Sequence, residues 1–265
     1  MKASSITNSA PVKFLYIGAS GAGKTGSLIS LLRAGYSIGL LDMDGEGYIP
    51  LTELCKKENP EYLDRLDIVS LRDKVKVSGT SVSVPAPKAY IKAVETMSKW
   101  DDGTIPAEWG TKKILVLDSL TMLGRAAFYW AQGLNRTAKD PRQWYGAAQE
   151  SLKMLLEMLT SPDFNTNVIV ISHIQFYEIE EGVTRGYASS IGKALGPELP
   201  KIFNTMIQAE SKGSGEKVSR TISTVPSATV DLKTPIPWKL DRSLPLDTGL
   251  ATLFEKLQPS AGNAK

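Results

Sequence analysis

The sequence has little cysteine and little histidine. Its 265 residues include one cysteine, Cys55, and one histidine, His173. A single cysteine excludes an internal disulfide framework and is typical of a reducing compartment, so we expect a cytoplasmic protein with Cys55 partly buried in a helix. One cysteine and one histidine also exclude a zinc site built from a His/Cys cluster.

Long apolar runs are missing as well. No stretch approaches the roughly 18–20 apolar residues of a membrane-spanning helix, and the opening MKASSITNSAPVK lacks the apolar core of a secretory signal. We therefore expect no membrane partner. The net charge of +3 permits nucleic-acid binding without indicating it. We expect one domain over 12–255, with flexible ends at 1–11 and 256–265.

Strand and helix patterns alternate along most of the chain. Five short apolar runs are predicted strands: 12–17, 38–41, 67–71, 113–118 and 167–172. Two more predicted strands, 204–209 and 218–224, are separated by a short segment with Gly213 and Gly215 and no intervening helix. This order predicts an α/β fold with a mostly parallel central sheet flanked by helices and a C-terminal antiparallel β extension.

Two other local patterns can be interpreted. Segment 74–86 alternates valine with serine and lysine around a Ser-Gly pair, which fits either a small exposed hairpin or a loose loop. Farther on, Asp140 is a good helix N-cap, Pro141 suits the first helical position, and Gln143 could complete a capping box. The predicted helix places apolar residues on one face: Trp144, Ala148, Leu152, Leu155 and Leu159.

The most specific motif is GASGAGKT, residues 18–25, which lies between a predicted strand and a predicted helix. It fits the phosphate-binding pattern G-x-x-x-x-G-K-[ST], in which glycines let backbone N–H groups face the phosphates. Lys24 would reach the β- and γ-phosphates, and the Thr25 hydroxyl would bind Mg²⁺. The motif predicts ATP and Mg²⁺ as ligands. The cradle residues are Gly18, Ser20, Gly21, Ala22, Gly23, Lys24, Thr25 and Gly26.

Acidic residues at two predicted strand ends would complete the site. Asp118 follows the apolar run ILVL, which is the Walker-B pattern of a residue that holds Mg²⁺ directly or through water. As an alternative, Asp118 could cap the next helix. At the end of the second strand, Asp44 or Glu46 could hold the attacking water, and Asp42 could support the metal. A solvated acidic turn would look the same in the sequence.

The single histidine follows the fifth predicted strand. His173 would therefore lie at the same sheet edge as Lys24 and Asp118. There it could sense the γ-phosphate through a hydrogen bond and signal to the following loop. Gln175 is a weaker candidate for the same role.

In order and spacing, these motifs resemble the RecA/RadA ATPase core. The resemblance rests on GASGAGKT, on LLDMDGE, on LVLDS with Ser119 after Asp118, and on VISHIQ. It places Asp44 where that family has its catalytic glutamate; because Asp44 is the shorter acid, Glu46 stays a candidate. The chain is most similar to small phage and prophage ATP-binding proteins built from a RecA core alone, some of which anneal single strands. SIGKAL at 190–195 and TVDLKTP around Lys233 extend this likeness over about 12–240.

The resemblance implies partners. Segments 132–145 and 176–193 would contact single-stranded DNA, although glutamates at 178, 180 and 181 weaken the case for the second. Trp144 and Tyr145 could stack on bases, but Trp144 fits the apolar helix face equally well. Lys193 or Lys233 could reach a neighbour's γ-phosphate in a homo-oligomeric ring or filament, and a single-strand-binding protein is a possible partner. The cations implied to bind DNA are Arg136, Lys139, Arg142, Arg185 and Lys193.

Other P-loop proteins remain alternatives. A ParA/MinD-type ATPase is disfavoured because it has a lysine where this chain has Ala19, and no GTPase base-reading motif is present. With few residues before the first strand, we expect an annealing or mediator-type core, in the host cytoplasm if phage-encoded. An AAA+-like or other P-loop ATPase in phage DNA replication or packaging is one alternative. An ATP-gated DNA-binding scaffold with little hydrolysis is the other.

Overall fold

The computed structural model describes residues 10–258, except for the side chain of Glu216. The strands, in chain order, are β1 (Lys13–Gly18), β2 (Ser37–Asp42), β3 (Leu66–Ser70), β4 (Lys76–Ser78), β5 (Ser81–Ser83), β6 (Gly110–Asp118), β7 (Thr166–Glu180), β8 (Val183–Ala188), β9 (Thr205–Lys212), β10 (Ser219–Ser223) and β11 (Ser243–Pro245). The α-helices are α1 (Lys24–Ser27), α2 (Ile29–Arg33), α3 (Ile49–Glu58), α4 (Ala89–Ser98), α5 (Leu120–Leu134), α6 (Arg142–Thr160), α7 (Leu199–Ile202) and α8 (Gly249–Leu257).

One nine-stranded sheet organises the domain. Six parallel strands lie in the order β9-β1-β7-β6-β2-β3. Next to β9, the antiparallel strands β10 and β11 form one edge, and β8 pairs with the far half of β7. These observations confirm the predicted α/β fold, its mostly parallel sheet and its antiparallel C-terminal extension. Among residues 10–258, no helix is long and apolar enough to cross a bilayer.

Both faces of the sheet are buried, because successive residues of each strand point to opposite sides. In β1, Leu15 and Ile17 pack toward α4, α5 and α6. Phe14 and Tyr16 pack on the other side, toward α1–α3 and α8. Cys55 lies in the helix α3, as predicted, and is fully buried in this second layer rather than partly buried. The predicted apolar face of α6 is also confirmed, since Ala148, Leu152, Leu155 and Leu159 are buried and Trp144 packs against the same core.

Helix starts differ in part from the predictions. The carboxylate of Asp140 accepts a hydrogen bond from the backbone N–H of Arg142, as a capping residue does. The predicted capping box is not formed, because Gln143 Oε1 accepts from Asn135 Nδ2 instead. At α5 the N-cap is Ser119, whose hydroxyl accepts from Met122 N, so the alternative role of Asp118 as helix cap is wrong.

The fifth predicted strand is longer than its apolar part. β7 runs through His173 to Glu180, and where a loop was expected to follow His173 the chain forms a β7–β8 hairpin arm. The prediction ended at 172 because the side chains beyond it leave the core and become polar or exposed. Segment 74–86, for which a loop and a hairpin were both open, contains the β4–β5 hairpin with Gly79 at positive φ in its turn.

The chain ends of the described region are tied to the core. α8 continues through Leu257, two residues into the predicted C-terminal tail, because Leu253 and Phe254 are buried against the sheet. Gln258 then donates hydrogen bonds to Ala10 O and Asn167 Oδ1. The remaining parts of the predicted flexible ends, 1–9 and 259–265, lie outside the described residues.

Candidate functional site

The phosphate-binding motif forms the turn between β1 and α1. Gly18 lies against β9, where a Cβ would be 2.6 Å from the carbonyl oxygen of Ala209, so only glycine fits. Gly23 has φ 91° and its missing Cβ would lie 2.5 Å from Leu246 Cδ2, so a side chain there would be strained and would also clash. Six of the eight predicted cradle residues line one cavity: Ser20, Gly21, Gly23, Lys24, Thr25 and Gly26. Gly18 and buried Ala22 lie beneath them.

Lys24 is held inside the turn that it follows. Its Nζ donates hydrogen bonds of 2.9 Å to the carbonyl oxygens of Gly18 and Ala19. Burial lowers the pKa of Lys24, while the nearby carboxylates of Asp118 and Asp44 favour the charged form. The ammonium group therefore lies in the cradle with its orientation fixed, which suits a group that neutralises phosphate oxygens.

Thr25 and Asp118 meet at the end of β6. The Thr25 hydroxyl donates to Asp118 Oδ2 at 2.6 Å, and Asp118 is buried beside it. Burial raises the pKa of Asp118 to about 7, and this effect outweighs the hydrogen bond from Thr25. A hydroxyl and a carboxylate are the hard oxygen ligands that Mg²⁺ takes from proteins when phosphate and water supply the others. The donor set thus fits Mg²⁺. Within residues 10–258 no group of three or more His, Cys, Asp or Glu residues could hold a metal alone.

Asp42 has a different geometry from the one predicted. Its side chain is fully buried, and Oδ1 accepts from Asp44 N at 3.1 Å. Oδ2 accepts from Glu46 N at 3.0 Å and from the Ser70 hydroxyl at 2.7 Å. The carboxylate is thus used to fold its own loop, and this geometry favours a structural role for Asp42 over the predicted role at the metal.

The two candidate water-positioning acids are separated by their surroundings. Asp44 is half-buried, lines the cavity, and its Oδ1 accepts a 2.6 Å hydrogen bond from Ser119 Oγ. Glu46 is exposed, has φ 77° and does not line the cavity. The geometry therefore favours Asp44.

His173 also faces the cavity. It lies in β7 directly beside Gly18 of β1, and its Nδ1 is 3.3 Å from the Thr121 hydroxyl. Burial lowers the pKa of His173, which favours the neutral imidazole. Gln175 is exposed, two residues farther along β7, and does not line the cavity.

The cavity has a second wall that the sequence analysis missed. Its volume is about 710 Å³, and beyond the cradle it is bounded by side chains from the C-terminal extension and from the first helices. Arg220 of β10 and Leu246 contact Gly23, and Arg33 forms a two-pronged ion pair with Glu58 while donating to Asp247 O. These residues come from distant parts of the chain and belong to no local motif, so no sequence signal pointed to them.

A protein-family model described as an AAA domain matches residues 10–236. The chain belongs to this AAA domain family. Together with the sheet order and the P-loop geometry, the match supports an ATPase with a RecA-like P-loop core. A search of curated proteins gave no match.

Solved structures with a similar fold are distant in sequence. A KaiC-like protein from Pyrococcus horikoshii is 11% identical with a TM-score of 0.41, covering 82% of this chain and 86% of that one. Flagellar accessory protein FlaH from Methanocaldococcus jannaschii is 10% identical with a TM-score of 0.46, covering 88% and 84%. An ATPase from the type III secretion system of pathogenic bacteria is 18% identical with a TM-score of 0.45, covering 76% of this chain and 52% of that one.

The five cations predicted to contact DNA lie outside the cavity of the AAA domain. Arg136 and Lys139 are exposed between α5 and α6. Arg142 pairs with Asp140 and Arg185 pairs with Asp231, while Lys193 lies over the ring of Tyr177.

The predicted stacking residues and trans-acting lysines also have defined positions. Trp144 donates to Asn135 O at 2.8 Å and packs on the core, which favours its structural interpretation, and Tyr145 packs on Phe128. Lys193 and Lys233 are both exposed, and neither lines the cavity of its own chain.

The raised pKa of Asp118 leads to a stability prediction for this AAA domain. Its folded-state pKa is about 7, against an ordinary value of about 3.9. Between these values the folded chain holds a proton that the unfolded chain has released, so this carboxyl makes stability fall as pH rises from about 4 to about 7. Asp118→Asn removes that charge, and without nucleotide or Mg²⁺ its melting temperature at pH 8 should exceed that of the wild type.

The gain in unfolding free energy of Asp118→Asn over the wild type at pH 8 is at most about 4 kcal/mol, which corresponds to several degrees in melting temperature. This gain should shrink toward zero near pH 4. Scanning calorimetry across this pH range measures it. Asp163→Asn, at an exposed position, is the matched control and should melt like the wild type at pH 8. A lower melting temperature for Asp118→Asn at pH 8 would show that the buried charge is not a net cost to the fold.

Proposed function

We propose that this protein hydrolyses ATP with Mg²⁺ and acts on single-stranded DNA. One observation carries the catalytic part: Lys24, the Thr25–Asp118 pair and Asp44 come from three separate strand ends and face the same cavity. These are the groups needed to neutralise transferring phosphate, hold Mg²⁺ and orient a water molecule. ATP is the substrate that this arrangement fits best.

Each residue has a distinct task in this proposal. Lys24 binds the β- and γ-phosphates, and Thr25 and Asp118 hold the Mg²⁺, whose charge offsets that of the phosphates. Asp44 orients and polarises the attacking water, with Ser119 fixing the carboxylate through its 2.6 Å hydrogen bond. In this proposal His173, whose pKa is lowered by burial, contacts the γ-phosphate side and transmits its presence along β7.

The DNA part of the proposal rests on the RecA/RadA resemblance and on position. β7 joins His173 in the cavity to the exposed β7–β8 arm without interruption, which provides a path from nucleotide to surface. Arg136 and Lys139 lie exposed in the segment that the resemblance assigns to DNA. We propose an annealing or mediator role in phage-type recombination, in a homo-oligomer in which Lys193 or Lys233 reaches the neighbouring site and a single-strand-binding protein is the partner.

The test is ATP turnover with and without an oligothymidylate, with particle size measured in parallel. Single-stranded DNA should raise the turnover of ATP. It should also lower the Kd for ATP by roughly fivefold or more, which is the size of coupling common between two ligand sites. A duplex of equal length and heparin are the matched polyanion controls and should have weaker effects.

The outcomes separate the alternatives. Turnover that DNA does not change, with no DNA bound, would overturn the recombination role and leave another P-loop ATPase, such as one in DNA replication or packaging. ATP binding without turnover, together with ATP-dependent DNA binding, would instead indicate a nucleotide-gated scaffold.

A further inference from the structure

The β4–β5 hairpin stands against α5 and leaves an open channel between them. One side of the channel is formed by Val75, Val82 and Pro85, and the other by Arg125, Tyr129 and Arg136 of α5 and the residues after it. Its volume is about 530 Å³. A smaller cavity of about 140 Å³ shares Val75, Arg125 and Tyr129 with it and continues to Arg72 and Met43. The channel therefore reaches from the surface to the loop that holds Asp44.

The channel is surrounded by unpaired positive charge. Between Ser119 and Lys139 the chain has no acidic residue, and between Arg72 and Lys92 it has only Asp73. Asp73 lines the smaller cavity, and its Oδ1 accepts from Lys88 N and Ala89 N at the start of α4. Within residues 10–258, the exposed arginines that line the two cavities, Arg72, Arg125 and Arg136, form no ion pair. The same holds for Lys74 and Lys76, which are exposed on either side of the lining residue Val75.

The same hairpin exposes apolar surface. Val75, Val77 and Val82 are 59%, 74% and 66% exposed, and Tyr129 lies in the channel with Arg125 Nε donating to its hydroxyl at 2.8 Å. Cations and apolar side chains together suit a ligand that offers both phosphates and unstacked bases. Single-stranded nucleic acid has both, whereas a duplex hides its bases in the stack. The concave shape favours a strand over a membrane surface.

Both sides of the channel are connected to Asp44. On the hairpin side, Arg72 Nη1 donates to Asp44 O at 3.4 Å. On the helix side, α5 begins at Ser119, whose hydroxyl holds Asp44 Oδ1 at 2.6 Å. A ligand that draws Arg72 or α5 toward itself would therefore change the position of the carboxylate that faces the nucleotide cavity.

We propose that the channel between the β4–β5 hairpin and α5 binds single-stranded nucleic acid, and that Arg72 and Ser119 transmit this binding to Asp44. The proposal rests on the function proposed above and names a binding surface for it. That surface overlaps the two segments implied by the family resemblance only at Gln132, Gly133 and Arg136. It also gives a role to segment 74–86, which the catalytic chemistry does not use.

A charge-neutralised variant tests the channel. Lys74→Gln/Lys76→Gln/Arg136→Gln removes three exposed cations that make no hydrogen bond within residues 10–258, so the fold should be kept. The matched control, Lys99→Gln/Lys112→Gln/Lys239→Gln, removes the same charge from exposed positions away from both cavities. Binding of a fluorescent oligothymidylate is followed by anisotropy at several salt concentrations.

We expect the channel variant to bind the oligothymidylate at least tenfold more weakly than the wild type. The slope of log K, the logarithm of the association constant, against log salt concentration should be smaller in magnitude by about two, as expected for three lost phosphate contacts on a single strand. The control variant should bind like the wild type, and the turnover of both variants without DNA should be unchanged. In the Arg72→Ala variant, saturating oligonucleotide should no longer stimulate ATP turnover, so the ratio of turnover with DNA to turnover without DNA should be close to one.

Failure would take distinguishable forms. If the wild type binds the oligonucleotide and the channel variant binds equally well, the channel proposal is wrong while the proposed function stands. If the wild type hydrolyses ATP but binds no oligonucleotide, both the channel and the DNA role are wrong. A last outcome is that the wild type binds no oligonucleotide but does bind polyglutamate or phosphatidylserine vesicles, and that the channel variant loses this binding. That result would assign the surface to another partner and overturn the proposal.

Discussion

The Lys24→Ala variant is expected to lose ATP turnover by a factor of roughly 10²–10³, the usual effect of removing one preorganised group that stabilises transition-state charge. Among residues 10–258, Lys24 is the one cationic side chain whose Nζ is held by the backbone of the cradle, through Gly18 O and Ala19 O. Truncation to alanine removes the positive charge from the place where the phosphate oxygens carry negative charge in the transition state. Turnover is measured by phosphate release at saturating Mg²⁺-ATP, and binding by titration with a fluorescent ATP analogue.

The fold of this variant should be kept. The two bonds of Nζ are to carbonyls of the same turn, and burial already lowers the pKa of the ammonium group, so its loss removes little stabilisation. Circular dichroism and melting temperature check this, and Lys99→Ala, on the exposed face of the domain, is the matched control. Wild-type turnover in a folded Lys24→Ala protein would mean that the cradle is not the catalytic phosphate site.

Asp44→Asn is expected to lower kcat by roughly 10²–10⁴, the contribution of a positioned general base. Asparagine keeps the size of the side chain and the oxygen that accepts from Ser119, so the loop geometry stays while the negative charge is lost. Glu46→Gln should change kcat by no more than about twofold, as expected of an exposed residue outside the cavity.

The pair of variants is informative because each is the control for the other. Both remove one carboxylate charge from the same five-residue loop, and both keep the N–H groups that bind Asp42. ATP affinity should be close to wild type in both, because the phosphate contacts lie in the cradle. A larger loss for Glu46→Gln would move the water-positioning role to Glu46, and equal small losses would exclude both acids.

Features that depend on local spacing could be predicted from the sequence. The turn of residues 18–25 is fixed by its glycines and by the strand before it, and the position of Asp118 follows from the four apolar residues that precede it. Parallel strands bring their carboxyl ends to one edge, which is why Lys24, Asp44, Asp118 and His173 could be expected together.

Features that depend on tertiary contacts could not be predicted. The geometry of Asp42 is decided by Ser70 of a neighbouring strand and by the backbone of its own loop, and no pattern in LLDMDGE distinguishes a buried organiser from a metal ligand. The Arg33–Glu58 pair and Leu246 meet at the cavity only because α2, α3 and the C-terminal extension fold together. The polar half of β7 was missed since its pairing with β8 does not require apolar side chains.

The contact between Leu246 and Gly23 bears on how small the protein can be made. The family match ends at residue 236, yet Leu246 and Asp247 bound the nucleotide cavity, and Phe254 packs edge-on against Phe14 of the first strand. A chain cut at the end of the matched region would lose one side of the P-loop cavity and part of the apolar layer beneath it. The smallest unit that keeps the P-loop cavity whole is therefore longer than the matched domain, and the last helix is as much a part of the fold as the P-loop.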